Sequence, residues 1–153
     1  MPAKPPGIFS KACEYGIRAA IYIGQQLASG RRVSLKDIAA EIDSPEAFTA
    51  KILQQLVRAQ LLTSVKGPAG GFELKPEQLR TVTLRQLVVA IDGGAMLQGC
   101  ALGLPQCSAQ QPCPMHYQFL PIRDQLNELL HTHTIGELAS KVQEGLGFLK
   151  QFS

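Results

Sequence analysis

Residues 34–74 carry the pattern that most restricts the fold. Two short amphipathic helices stand either side of a tight turn, and a glycine-rich hairpin follows at once. Ser34-Leu35-Lys36-Asp37 opens the first helix in the manner of a capping box, with an acid at its third position. Leu35, Ile38, Ala39 and Ile42 then share one face. Asp43-Ser44 makes the turn. Ser44-Pro45 starts the second helix, with Pro45 at the first helical position, where its missing N–H costs nothing. That helix is expected to run to about Ala59. Residues 61–66 read as a strand, Gly67-Pro68-Ala69-Gly70-Gly71 as a tight turn, and 72–74 as the returning strand. Two helices joined so closely form a helix-turn-helix, and the hairpin behind them makes it a winged helix.

The flanks are helical. Ser10 is placed to cap a helix running to about Ala28, with Ile17, Ala20, Ile21, Gly24 and Ala28 as its apolar stripe; Ser29-Gly30 ends it. Residues 1–9 read as a flexible lead-in, and no element is assigned to 75–82. Thr83-x-x-Gln86 is a second capping box, opening a helix to Asp92, and Gly93-Gly94 breaks it. From there to Pro114 the chain is rich in Gly, Pro, Cys and Gln without periodicity, and is expected to be a loop. A long helix over about 115–133 carries Phe119, Ile122, Leu126, Leu129 and Leu130, and Thr134-x-x-Glu137 caps a last helix to about Leu149. The expected fold is mainly α with a small β-hairpin wing. It divides into a winged helix-turn-helix over 8–92, a cysteine-rich cluster-binding loop over 93–116, and a long C-terminal dimerisation helix with a final helix over 117–153.

Charge follows this division. Residues 1–92 hold 12 Lys and Arg against 8 Asp and Glu, whereas 93–153 hold 3 against 4. The basic excess sits where an anionic partner is expected. On the second helix of the pair, Ala47, Lys51, Gln54, Gln55 and Arg58 lie opposite an apolar arc of Phe48, Ile52, Leu53, Leu56 and Val57. The polar face contains no acid, and offers the amide and cationic donors that read base edges or hold phosphates in a major groove. An ordinary solvated helix face is the plain alternative, which the capped partner helix and the wing disfavour. Ser64, Lys66, Gly70 and Gly71 complete the candidate DNA contacts, because a turn this small leaves its backbone N–H groups open to a phosphate or a minor groove. Arg31, Arg32 and Lys36 read either as further phosphate contacts or as solvated charge.

Three of the four cysteines, Cys100, Cys107 and Cys113, fall in one 14-residue loop with His116 just behind, as C-x6-C-x5-C-x2-H. Soft thiolates converging from a loop without a core suit zinc or an iron–sulfur cluster, and a bound metal would order such a loop. Ligand chemistry alone leaves both open. Cys13 reads instead as a small buried hydrophobe in the first helix. His131 and His133 read as structural, favouring the negative end of the long helix. No apolar run reaches the roughly 18 residues of a membrane span, and residues 1–8 are too poor in apolar residues for a signal peptide. The chain is expected in the cytoplasm, where thiols stay reduced.

These residues resemble the Rrf family of winged-helix regulators over roughly residues 8–140. The resemblance rests on the opening S-K-A-C-E-Y-G-I-R-A, the wing V-K-G-P-A-G-G-F, the three-cysteine loop and the late T-I-G-E-L. It implies a homodimer crossing its long helices, a palindromic operator in double-stranded DNA, and a cluster on Cys100, Cys107 and Cys113. A [2Fe–2S] cluster, as in IscR-like members, is favoured over the [4Fe–4S] of NsrR-like ones. IscR-like members take a His after the third cysteine as fourth ligand, which His116 matches; NsrR-like members take an acid from the partner's first helix, near Glu14. The expected activity is DNA-binding regulation set by cluster supply, redox state or nitric oxide. The first cysteine gap is six residues where the family usually has five, and Ala50 stands where IscR-like members have an acidic base-reading residue. Three alternatives remain: a winged-helix regulator with structural zinc, an iron–sulfur carrier that binds no DNA, and an enzyme pairing Cys113 with His116.

Overall fold

The computed structural model describes residues 7–27 and 30–151. Most of the expected lead-in and the expected helix end at Ala28-Ser29 lie outside these. Helix α1 (Lys11–Leu27) is the central element, and the later helices α3, α5 and α8 all pack on it. Its start is fixed by Ser10, whose hydroxyl accepts the Cys13 N–H at 3.0 Å and itself donates to the carboxylate of Asp92. Cys13, Ala19, Ala20 and Ile23 are fully buried along it. Gly24 lets its far end be approached closely: a Cβ there would stand 2.9 Å from Leu79 and 3.3 Å from both Leu74 and Ile135.

Helix α2 (Leu35–Glu41) is capped as expected, the Ser34 hydroxyl accepting from the Asp37 N–H at 3.1 Å. Helix α3 (Glu46–Arg58) starts one residue later than expected. Pro45 is its N-cap in extended conformation rather than its first helical residue, and its carbonyl accepts both the N–H and the hydroxyl of Thr49. Ser44 is spent on a hydrogen bond to the same Thr49 hydroxyl, so a buried threonine organises the turn.

The wing is shorter than its sequence suggested. Strands β1 (Thr63–Val65) and β2 (Gly71–Glu73) pair antiparallel, with Ser64 opposite Phe72. Leu61 and Leu62 are buried and precede the strand instead of belonging to it. Val33 adds a third, single-residue rung, exchanging both backbone hydrogen bonds with Phe72 at 2.8 and 2.9 Å.

Two helices had no counterpart in the sequence reading. Helix α4 (Pro76–Thr81) starts at a proline, its Gln78 side chain accepting from the Lys75 N–H. Helix α5 (Leu84–Asp92) carries the expected Thr83–Gln86 capping box. Behind Gly93, the one-turn helix α6 (Ala95–Gln98) interrupts the expected loop, pinned by Leu97 in the core. Helix α7 (His116–Thr132) follows the cysteine segment.

Helix α8 (Ile135–Gln143) starts under Thr134 as expected, but stops six residues short of Leu149. Gly145, at φ 77°, closes it: the Gly145 and Leu146 N–H groups return to the carbonyls of Val142 and Lys141. This is a Schellman stop, and glycine takes its left-handed residue without cost. Backbone bonds between Leu84 and His133 and between Ile135 and Val82, each 3.0 Å, stitch the start of α8 to the start of α5. The architecture is a winged helix enlarged by α8, with the long α7 running from the cysteine segment back to the domain.

Candidate nucleic-acid interface and candidate metal centre

Ile52, Leu53 and Leu56 anchor α3 in the core, which turns the opposite face outward. Ala47, Lys51, Gln54 and Arg58 are exposed on that face and Gln55 is half-buried, so all five candidates share one surface. Phe48 departs from its expected place on the buried arc. It is 38% exposed at the rim, edge-on to Tyr15 with ring centroids 5.8 Å apart. At that helix position the core is already filled by Thr49 and its hydrogen bonds.

Ser64 and Lys66 are exposed on the wing. The turn needs its glycines. A Cβ on Gly70 would stand 2.2 Å from the Val65 carbonyl oxygen, and one on Gly71 would stand 2.4 Å from that of Val33. Arg32 proves to have a more specific place than a solvated charge. It donates to the Ala69 carbonyl at 3.1 Å and lies 3.4 Å from the carboxylate of Glu73, so it spans the wing from tip to return strand. Nothing in the sequence distinguishes it from Arg31, because the contact exists only once Val33 has paired with Phe72.

The cysteine segment brings one of its thiols onto the imidazole that follows it. Cys107 Sγ lies 3.5 Å from Nδ1 of His116, whose ring is buried edge-on against Tyr117 at 4.8 Å between centroids. Cys100 Sγ accepts from the backbone N–H of Leu102 at 3.4 Å. Its thiol pKa is held below the usual value, first by the backbone N–H groups of Leu102 and Leu104, against an opposing effect of burial, with smaller help from the Cys113 side chain and the Gly103 N–H. All three cysteines are free and half-exposed. Among the described residues the three cysteines and His116 do not close into a single three-ligand site. Their chemistry nonetheless suits a soft metal centre: reduced thiols, backbone N–H donors aimed at sulfur, and one imidazole in contact with a cysteine.

Glu14 sits half-buried in the first turn of α1, its carboxylate beside Gly7, away from this segment's own pairings. Cys13 is fully buried, and burial, followed by the charge of Asp92, pushes its thiol up to about 12. His133 Nδ1 donates to the Glu137 carboxylate at 3.0 Å, four residues on, a local structural contact.

The profile of the Rrf2 family, described as "Iron-dependent Transcriptional regulator", matches residues 9–141. The chain belongs to the Rrf2 family. Protein aau3 of Rhizobium meliloti (strain 1021) is 30% identical over 142 residues, which cover 92% of this chain and 89% of that one. The HTH-type transcriptional regulator IscR of Vibrio vulnificus (strain YJ016) is 26% identical over 108 residues, covering 71% of this chain and 63% of its own. Among solved structures, CymR of B. subtilis, titled the global cysteine regulator, superposes with a TM-score of 0.71 at 22% identity. That match covers 86% of this chain and 95% of the other, and it supports the fold.

This Rrf2 protein is therefore a DNA-binding transcriptional regulator with a winged helix. Its relatives are regulators and not enzymes, which removes the reading of Cys113 and His116 as a nucleophile–base pair. Geometry agrees, since the His116 imidazole meets the Cys107 thiol, and His116 reaches Cys113 through its backbone N–H to the Cys113 carbonyl. No described helix is long and apolar enough to cross a membrane.

Proposed function

We propose that this chain acts as a homodimer on palindromic double-stranded DNA, with operator binding governed by an iron–sulfur cluster on Cys100, Cys107 and Cys113. The observation that carries the reading is the contact within the cysteine segment between Cys107 and the imidazole that begins α7. The Cys107–His116 contact favours His116 over the partner's Glu14 as fourth ligand, and with it a [2Fe–2S] over a [4Fe–4S] cluster. When bound, such a cluster supplies a centre responsive to iron–sulfur supply, oxidation or nitric oxide.

The chain's own residues do the rest. Lys51, Gln54, Gln55 and Arg58 with Ala47 present the groove-reading face, and Ser64, Lys66, Gly70 and Gly71 hold the backbone of the duplex. Two copies related by a two-fold axis place two such faces on two half-sites.

The test is an anaerobic visible spectrum of the purified protein, with iron, acid-labile sulfide and zinc assayed together. A coloured protein with equal iron and sulfide, lost in Cys107→Ser and shifted in His116→Ala, is the expected result. A colourless protein holding zinc, or one that takes up neither iron nor sulfide on anaerobic reconstitution, overturns the cluster reading and leaves the DNA-binding regulator standing.

A further inference from the structure

Immediately before Cys100, three consecutive carbonyls are gripped by two side chains of α7. Arg123 Nη1 donates to the carbonyls of Gln98 at 3.0 Å and Gly99 at 2.9 Å. Asn127 Nδ2, one turn further along, donates to Leu97 at 3.0 Å and returns to the Arg123 carbonyl at 3.3 Å. These are the carbonyls that end α6, which have no intrahelical partner and favour a cation. Leu97 is itself locked in the core. The chain therefore leaves the core, passes under Arg123 and becomes Cys100 at the next residue.

We infer that Arg123 and Asn127 are positioning residues that fix the Cys100 segment to α7, so that a change in the cysteine segment is felt along that helix. The sequence reading gave them no role. Two features support a transmitting grip over a merely local one. It joins backbone to side chain across 24 and 25 residues of chain for Arg123, and 30 for Asn127. It is also incomplete: among the described residues, Nε of Arg123 is buried without a hydrogen-bond partner. A half-exposed guanidinium whose Nε is buried and unpaired has a second arrangement within reach, in which a small shift of residues 97–100 trades an acceptor onto Nε. Such a two-state contact is what coupling between a loop and a helix requires.

The inference rests on the cluster proposal only for what is transmitted; the grip itself exists in the metal-free chain. The experiment is hydrogen exchange by mass spectrometry on full-length wild type, Arg123→Ala, Arg123→Lys and Asn127→Ala, metal-free and after anaerobic reconstitution with iron and sulfide. In metal-free protein, Arg123→Ala is expected to speed exchange over 97–103 by about tenfold, the loss of a charge-assisted hydrogen bond, with Asn127→Ala doing so less. Arg123→Lys, which keeps the charge but not the fork, is expected to fall between wild type and Arg123→Ala. On reconstitution, wild type is expected to gain protection over 124–132, beyond the ligand-bearing end of α7. Arg123→Ala is expected to lack that gain while holding the same iron and sulfide per chain.

Unchanged exchange over 97–103 in both Ala variants overturns the inference, as does an undiminished gain over 124–132 in a loaded Arg123→Ala. If wild type takes up no iron or sulfide, the cluster proposal falls, and the metal-free comparison still decides whether Arg123 and Asn127 hold the segment. Should Arg123→Ala not fold, the Lys and Asn127 variants carry the same comparison.

Discussion

Arg32 donates from Nη1 to the backbone carbonyl of Ala69 at 3.1 Å, so a residue that precedes the helix-turn-helix holds the tip of the wing behind it. Its Nε lies 3.4 Å from Glu73 on the return strand. A guanidinium used this way positions the wing, whereas one on DNA would neutralise a phosphate. Salt dependence separates the two, because each phosphate contact contributes roughly 0.9 to the slope of log K against log salt. Arg32→Ala is expected to weaken binding to a duplex selected from a random pool while leaving that slope unchanged. Lys66→Ala is expected to lower the slope by about one. The ion pair with Glu73 is half-exposed, so Glu73→Gln is expected to cost less than about 1 kcal/mol of stability.

The wing glycines make a sharper case. A methyl group on Gly70 would stand 2.2 Å from the Val65 carbonyl oxygen, and one on Gly71 2.4 Å from that of Val33. Both neighbours are backbone, and neither can rotate away as a side chain would. Gly71 also sits at φ 150°, at the edge of what an L side chain tolerates. Gly70→Ala and Gly71→Ala are each expected to cost about 1–3 kcal/mol, read as a lowered thermal midpoint. The variants are expected to lose DNA binding by more than the stability loss explains, because the tip itself is displaced. Gly67→Ala carries only the strain of its φ of 104°, since its Cβ position is open, and is expected to keep more of both.

The fold was legible wherever one short-range rule decided it. Ser34, Thr83 and Thr134 cap the helices their spacing announced, and the wing turn follows from its glycines. What escaped depended on partners distant in sequence. Helix α6 exists because Leu97 reaches the core and α7 holds its carbonyls, so four residues among glycines gave no periodicity to read. The end of α8 was misplaced because the apolar run 146–149 looked like continued helix, although Gly145 stops it; the Leu149 carbonyl instead accepts from Arg18 of α1 at 2.8 Å. At the candidate site, residue types and spacing identified the cysteines and His116, but not which thiol meets the imidazole. Arg32, Arg123 and Asn127 were indistinguishable from surface residues, because the carbonyls they grip are sequence-independent.

Cys13 and the loop cysteines are expected to part company in a thiol assay. Cys13 is fully buried, and burial with the charge of Asp92 pushes its thiol up to about 12 from an ordinary 9.0. Only the thiolate alkylates. In metal-free protein at pH 8, iodoacetamide is expected to modify Cys100, Cys107 and Cys113, and to reach Cys13 only in denaturant; peptide mass spectrometry reads the pattern. The folded value lies above the unfolded one, so the contribution of Cys13 to stability is fully present below pH 9. It is lost as pH rises from about 9 towards 12, where the unfolded thiol ionises and the buried one does not. Cys13→Ala is expected to lower stability at pH 7 through the space it leaves, and to flatten the alkaline loss. A wild-type chain that alkylates Cys13 as fast as Cys107 would contradict this.

Helix α7 carries one apolar stripe roughly 100° wide, and only one edge of it is covered within the chain. Leu130 is buried and Phe119 and Leu126 are half-buried on the inner face. Along its other edge, Met115, Ile122 and Leu129 follow one another at seven-residue spacing, 45%, 60% and 50% exposed. A heptad-spaced stripe on a long helix is the seam along which two such helices supercoil. In the proposed homodimer, a second copy of the same helix, crossing about a two-fold axis, supplies the matching stripe. Burying each such side chain is worth about 1.5–3 kcal/mol, so losing Ile122 and Leu129 from both copies removes enough to dissociate a micromolar dimer. Ile122→Asp with Leu129→Asp is therefore expected to give a monomer in analytical ultracentrifugation, with its helical circular dichroism kept and its affinity for a palindromic duplex reduced to that of a single half-site. Leu130→Asp, on the inner face, is expected to unfold the chain instead. A double variant that sediments as wild type would place the dimer contact elsewhere than on this stripe.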